Sequence, residues 1–278
     1  MSKDYLNIKQ EIINQMQVKP VIEAQAEITR RVDFIKQQLL AANKFTLVLG
    51  ISGGVDSTLC GRLCQQSVQE LRHKTNLDEY KFYAVRLPYK KQQDEAVAQL
   101  ALDFIQPDEV LTVNIANGVD SLCSDITAAL DLPTVTVDQL DFVKGNTKAR
   151  LRMAAQFHLA AIVDGLVVGT DHSAENLMGF YTKFGDGACD LAPLFGLNKR
   201  QVISLTKHLG ASSTLCDKIP TADLTDNRPL IPDEDVLGVT YSDIDNFLEG
   251  LEVEQSAEKT ILNKYLATNH KRLPIPTP

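Results

Sequence analysis

The chain lacks any apolar run long enough to span a bilayer. Its first residues, Met1-Ser2-Lys3-Asp4-Tyr5, lack the apolar core of a secretion signal. A basic excess is missing too. The formal net charge is −8, which excludes a broad nucleic-acid footprint but not a local cationic pocket. There is no C-x-x-C pair. The five cysteines (Cys60, Cys64, Cys123, Cys189 and Cys216) are odd in number and scattered, as in a reducing compartment. Cys60 and Cys64 stand four apart on one helix with no second Cys or His pair nearby, so they read as core packing rather than zinc ligands. No internal repeat, low-complexity tract or Gly/Ser linker divides the chain. The expectation is a cytoplasmic protein without membrane or nucleic-acid partner. Its 278 residues suit one large α/β domain over 1–278 or two small ones.

What is present begins with one loop. Thr46 to Ile51 is continuously apolar and β-branched, the pattern of a buried parallel strand. Ser52-Gly53-Gly54-Val55-Asp56-Ser57-Thr58 follows, and then a helical stretch to about Glu70. Two glycines permit a tight turn and close approach to a ligand. The helix start aims unpaired N–H groups and its positive end into the loop, and the hydroxyls add donors. Such a loop cradles pyrophosphate, with Asp56 placed to hold Mg2+ on it. A Walker A loop would need a lysine here, and none is present. The plain alternative is a Gly-Ser turn before an ordinary helix.

Around this loop, strands alternate with helices. Lys81 to Leu87, Glu109 to Val113 and Gly165 to Gly169 read as strands. Gln92 to Ile105, about Val119 to Leu130, and Gln139 to Val163 read as helices, the last interrupted in propensity by Gly145. Alternation implies βαβ units, a parallel sheet with helices on both faces, and ligands at the carboxyl ends of the strands. That rule gathers Ser52 to Thr58, Arg86 and Thr170-Asp171 at one crevice. Tyr5 to Met16 and Val21 to Ala42 are amphipathic helices that cover either a flank or a partner subunit. Leu215 to Asp233 reads as a mobile loop, and Ser256 to Ala267 as a final helix that the proline-rich tail cannot continue. In Gly169-Thr170-Asp171-His172-Ser173-Ala174-Glu175-Asn176, Ser173 reads as the cap of a short helix. Its first turn carries Glu175, a carboxylate able to share a hard cation with Asp56.

The loop alone resembles that of the N-type ATP pyrophosphatases. The order of further motifs resembles one family among them, the ammonia-dependent NAD synthetases. These motifs are Val85-Arg86-Leu87-Pro88, Gly145 to Arg150, Gly169 to Asn176, Tyr181 to Asp186, Asp190 to Leu194, Asn198-Lys199, Ile219 to Ala222 and His270-Lys271. Val55 departs from the family, which often has Gln there. The resemblance implies an adenine-nucleotide α-hydrolase-like (Rossmann-like) fold. It also implies ATP-dependent conversion of deamido-NAD and ammonia to NAD, by way of an acyl-adenylate, with release of AMP and pyrophosphate. By position, Gly50, Ile51, Ser52, Gly53, Gly54, Val55, Asp56 and Ser57 would hold ATP, joined by Thr170, Lys199, Thr221 and, near the adenosine, Arg86. Arg150, Lys183, Asp190, His270 and Lys271 would contact deamido-NAD. Asp56 and Glu175 would bind Mg2+, and Asp56, Lys199 and Asp190 would serve catalysis. Activating ammonia also needs a base for ammonium, and the sequence offers Asp171 and Asp190 without deciding between them. The family is a homodimer with the dinucleotide site shared between subunits.

Taken singly, Lys183, Lys199 and His270-Lys271 read as solvated surface charge. Their matching order raises them together. Glutamine-dependent relatives carry a glutaminase domain with a catalytic cysteine. Here forty-odd residues precede the first strand and residue 2 is Ser2, so free ammonia is the expected donor and no glutaminase domain is expected. Two other readings stay open: a tRNA-modifying ligase on the same loop, and a non-catalytic adenine-nucleotide sensor. The acidic balance opposes the first. Metal carboxylates aimed at the α-phosphate oppose the second.

Overall fold

The structure, a computed structural model, describes residues 3–90, 95–130, 136–222 and 231–278. In chain order its elements are α1 (Lys3–Met16), α2 (Ala24–Ala42), β1 (Thr46–Gly50), α3 (Val55–Thr75), β2 (Lys81–Arg86), α4 (Glu95–Ile105), β3 (Glu109–Thr112), α5 (Ala116–Ala129), α6 (Val137–Ile162) and β4 (Gly165–Val167). There follow α7 (Ser173–Met178), α8 (Lys199–His208), α9 (Ser213–Cys216), β5 (Thr221–Ala222), β6 (Ile231–Pro232), α10 (Asp233–Leu237), α11 (Tyr241–Leu248), α12 (Gln255–Ala267) and α13 (Asn269–Arg272).

Four strands pair in the order β3-β2-β1-β4, all parallel. β1 is therefore central, and its side chains serve both faces. Leu47, Leu49 and Ile51 pack into a cluster with α2, α3, α4 and α8, while Val48 packs with Val119 of α5 and Ala160 of α6. This is why the β1 sequence shows no polar alternation. Strand order reverses between β1 and β4, so a crevice opens at their carboxyl ends, where such sheets bind ligands. The loop 51–54 and the segment 168–172 meet there.

A third cluster is helical. Ile12 and Met16 of α1 pack with α7, α11 and α12 through Leu177, Ile244, Phe247 and Ile261. Ile28, Val32, Ile35 and Leu39 of α2 pack in the first cluster. These residues of both N-terminal helices are thus buried within the chain, while Ile8 and Leu40 stay exposed at 41% and 52%. α2 begins at Ala24 rather than after Pro20, because Glu23 caps it, accepting from the N–H groups of Gln25 and Ala26 at 3.1 and 2.6 Å. α3 runs past Glu70 to Thr75, and α6 runs through Gly145 from a capping box of Thr136 and Gln139. The final helix is followed by a further turn, α13, and extended backbone begins at Leu273 before Pro274. Part of the predicted loop 215–233 is structured: the end of α9, the antiparallel pair β5–β6 and the first residue of α10 lie in it. Residues 91–94, at the predicted start of α4, and 223–230, inside that loop, lie outside the described residues. Among the described residues no helix is long and apolar enough to cross a membrane.

Candidate active site

The loop after β1 is held by its own hydroxyls. Ser52 Oγ accepts the Gly54 N–H at 3.2 Å and lies 3.1 Å from Ser57 Oγ. Ser57 and Thr58 in turn donate to the Gly54 carbonyl at 3.1 and 2.8 Å. Gly53 has φ +85°, and a Cβ there would stand 3.0 Å from the Ala98 backbone. Only glycine fits both constraints. Val55 turns into the apolar cluster and so away from the loop cavity. Gly50, closing β1, donates its N–H to Gln156 Oε1 at 2.6 Å, which fixes the strand end against α6.

Asp56 lies in the first turn of α3, at the mouth of the loop. Lys199, the first residue of α8, sends its ammonium to both Asp56 oxygens at 3.0 and 2.8 Å. Lys199 is a helix start, but a buried one, 3% exposed. An Asn198–Gln201 capping box begins α8, and Asp245 of α11 accepts the N–H groups of Lys199 and Arg200 at 3.0 and 2.8 Å. Asn198 is tied to Glu249 at 2.6 Å. The Tyr241 ring centroid lies 5.0 Å from the Lys199 ammonium, and the Tyr241 hydroxyl donates to Asp233 at 3.2 Å. α11 therefore sets where Lys199 points.

From the other side of the crevice comes α7. Its cap is His172, not Ser173: His172 Nδ1 accepts the Glu175 N–H at 3.4 Å. Ser173 is drawn elsewhere, donating to the Met16 carbonyl at 2.6 Å and accepting from Gly196 N–H at 2.8 Å. His172 Nε2 stands 3.4 Å from Asp56 and 3.6 Å from Glu175. Ligand-type atoms of Asp56, His172 and Glu175 all fall within 4.8 Å of one another.

Electrostatics separate these groups. Burial alone would raise the Asp56 carboxyl, but Lys199 and then His172 outweigh it and hold Asp56 well below the usual carboxylate range. Glu175 is pushed up to about 8, by burial first, with Asp56 adding to it and His172 opposing. Burial lowers Lys199, yet Asp56 and Glu175 prevail and raise it. Burial also drives Asp171 well above its ordinary value, helped by Asp186 and Asp56. The site thus has one firmly ionised carboxylate, one buried cation and two carboxyls whose ionisation burial opposes. A divalent cation between Asp56 and Glu175 would relieve that strain, so the donor set fits one.

The remaining predicted residues are distributed around this centre. Arg86, at the carboxyl end of β2, is buried and paired with both Glu95 oxygens. Thr170 follows β4, and Thr221 sits in β5 opposite Pro232. Arg150, Lys183, His270 and Lys271 gather about the segment 179–187. The Arg150 guanidinium reaches the Lys183 carbonyl at 3.4 Å, and Lys183 reaches the His270 carbonyl at 2.6 Å. Lys271 donates to the carbonyls of Gly179 and Tyr181 at 2.8 and 2.6 Å. A cavity of about 650 Å³ opens here, lined among others by Asp171, Tyr181, Lys183, Phe184, Cys189 and Lys271. Asp190 is engaged at the sheet edge, its carboxylate accepting the Val167 N–H at 2.7 Å. Sequence reasoning gave no role to His172, Tyr241, Asp233 or Asp245. The signal available in the sequence there is Thr240 at a helix start with Asp243 in its first turn.

The family model described as NAD synthase matches residues 27–274. An NH(3)-dependent NAD(+) synthetase of Shewanella baltica strain OS155 is 57% identical over 273 residues, covering 97% of this chain and 99% of that protein. NAD+ synthetase from Burkholderia pseudomallei superposes with a TM-score of 0.83 at 42% identity, over 99% of each chain. NMN synthetase from Francisella tularensis superposes with a TM-score of 0.78 at 31% identity, over 93% of this chain and 99% of that one. The fold is the adenine-nucleotide α-hydrolase-like arrangement that the motif order implied.

Proposed function

The chain belongs to the NAD synthase family and amidates deamido-NAD to NAD with ammonia and ATP, and we propose that the crevice between β1 and β4 is where it does so. The observation that carries this reading is the meeting of Lys199, Asp56 and Glu175 at the mouth of a hydroxyl-braced glycine loop.

In this reading Gly50 to Ser57 receive the ATP phosphates, with the first N–H groups of α3 and the Ser52 and Ser57 hydroxyls as donors. Lys199 and Thr221 reach the same phosphates from α8 and β5. Thr170 and Arg86 border the nucleotide. Lys183, His270, Lys271 and Arg150 hold deamido-NAD around the cavity. Asp190 ties the edge of β4 beneath it. The carboxylate oxygen of the nicotinate attacks the α-phosphorus, and the bond from that phosphorus to pyrophosphate breaks. Ammonia nitrogen then attacks the acyl carbon, AMP departs with the attacking oxygen, and nitrogen loses a proton. Asp171, which lines the same cavity, is the base we assign to that loss, acting in its ionised form. Two anions approach in the first step, and the buried Lys199 ammonium offsets their repulsion in a site of low dielectric. Asp56 and Glu175 are the residues that would hold Mg2+, which when bound screens phosphate charge. No side chain need act as a covalent nucleophile.

We also propose a single domain and a homodimer. Leu122 and Ile126 on α5 and Leu130 at its C-cap are 43–50% exposed, and Phe142 and Val143 on the adjoining α6 are 66% and 56% exposed. An apolar face of this kind needs a cover. Arg150 lies two turns beyond Phe142 on the same helix, so a dinucleotide site shared across that face follows naturally. A cytoplasmic location fits ATP as substrate and the five free thiols.

The test is an assay with ATP, Mg2+, deamido-NAD and either ammonium chloride or glutamine freed of ammonia. NAD and AMP should form with ammonium and not with glutamine alone. Turnover of nicotinate mononucleotide in preference to deamido-NAD would overturn the substrate assignment. Consumption of tRNA, or ATP binding without pyrophosphate release, would overturn the function.

A further inference from the structure

His172 is wholly buried, and its two ring nitrogens have different neighbours. Nδ1 faces the Glu175 N–H at 3.4 Å and accepts from it. A ring nitrogen that accepts carries no proton, so the ring proton lies on Nε2. Turning the ring over would place a carbon there and leave the Glu175 N–H without its acceptor. Nε2 is buried without a close hydrogen-bond partner, 3.4 Å from Asp56 Oδ1 and 3.6 Å from Glu175 Oε1. The Tyr241 ring, with its centroid 6.4 Å away, packs beside it.

By residue type alone, Asp56, His172 and Glu175 look like one metal-ligand set. The backbone divides them differently. We propose that His172 is a positioning residue that directs its Nε2–H at the facing oxygens of Asp56 and Glu175, and that it stays outside the ligand shell of the cation. This rests on the reading that Asp56 and Glu175 hold that cation. A protonated nitrogen offers a metal no lone pair. What remains is a set of oxygen ligands, suited to Mg2+ or Mn2+ and ill suited to Zn2+, which favours imidazole and thiolate. The Nε2–H also fixes which carboxylate lone pairs stay free for the ion, the work that partners of metal ligands commonly do. His172 thereby sets ion selectivity without touching the ion.

Two measurements test this on the intact protein. The first is nitrogen NMR of 15N-histidine-labelled protein, with the His172 signals assigned by their loss in His172→Asn. Nδ1 should resonate as a bare nitrogen and Nε2 as a protonated one, before and after saturation with Mg2+. A bare Nε2, or loss of its proton when Mg2+ or Zn2+ is added, overturns the proposal. The second is Mn2+ affinity by electron paramagnetic resonance. His172→Asn keeps an acceptor at the helix cap but removes the Nε2–H, and should weaken Mn2+ by about 10–100-fold. His172→Gln, whose amide reaches further, should recover the larger part of that loss. Parental affinity in His172→Asn, or no recovery in His172→Gln, overturns the donor role. Asp56→Ala separates the two levels. If it abolishes Mn2+ binding while His172→Asn does not alter it, only the His172 proposal fails. If it leaves Mn2+ binding intact, the metal reading fails as well.

Discussion

Lys199 and Asp56 are 143 residues apart in the chain, yet the lysine ammonium lies 2.8 Å from one oxygen of the carboxylate and 3.0 Å from the other. The pair joins the glycine loop to the start of α8. It places a buried cation where the phosphates of ATP would arrive.

Replacing Lys199 by Met should therefore lower kcat by about 10²–10³-fold, the usual loss when a preorganised charge is removed from a transition state. Lys199→Arg should not restore the rate, because the ammonium sits in a space only 3% exposed. Steady-state kinetics with varied ATP checks both. A parental kcat in Lys199→Met would show that the cation has no part in the chemistry.

Gly53→Ala should destabilise the protein by about 1–3 kcal/mol, since a side chain is strained at positive φ. The new Cβ also meets the Ala98 backbone at 3.0 Å, so α4 must move. Thermal unfolding measures the loss, and the KM for ATP should rise with it.

Asp245 gives a pH dependence. Burial raises its carboxyl to about 6, against the N–H bonds from Arg200 and Lys199 that lower it. A carboxyl whose folded value is raised holds its proton more tightly folded than unfolded. Its contribution is complete below the ordinary value of 3.8 and is lost as pH rises through about 6. Asp245→Asn lacks this titration. Relative to the parent, its unfolding free energy should gain about 3 kcal/mol between pH 3 and pH 7. Denaturant titrations at the two values read the difference directly, and an unchanged difference would contradict the assignment.

Phe142→Asp should convert a dimer to a monomer. The side chain is 66% exposed on α6, beside the exposed apolar row of α5. Light scattering should give twice the chain mass for the parent and once for the variant. Deamido-NAD affinity should fall with dissociation, since Arg150 shares that helix.

Much of this was legible in the sequence because it rests on local pattern. β1 is apolar throughout since both of its faces are covered, and Ser52 to Thr58 announces its turn by residue type alone. The short helices after Gly196 were harder to read. α8 and α11 have 10 and 8 residues, too few for a clear period, and their caps are one or two polar residues among many. His172 was misread for a different reason. Serine is the better cap by type, but the Ser173 hydroxyl is claimed by Met16 and Gly196, both distant in sequence. Asp245 could not be read at all, because its work is done on N–H groups 45 and 46 residues away.

The most direct test follows the oxygen. Deamido-NAD carrying 18O in its nicotinate carboxylate is turned over with ATP and ammonium, and the products are weighed by mass spectrometry. One 18O atom in AMP, with pyrophosphate unlabelled, is the predicted result. Unlabelled AMP, or ADP and phosphate in its place, would contradict attack by the carboxylate on the α-phosphorus.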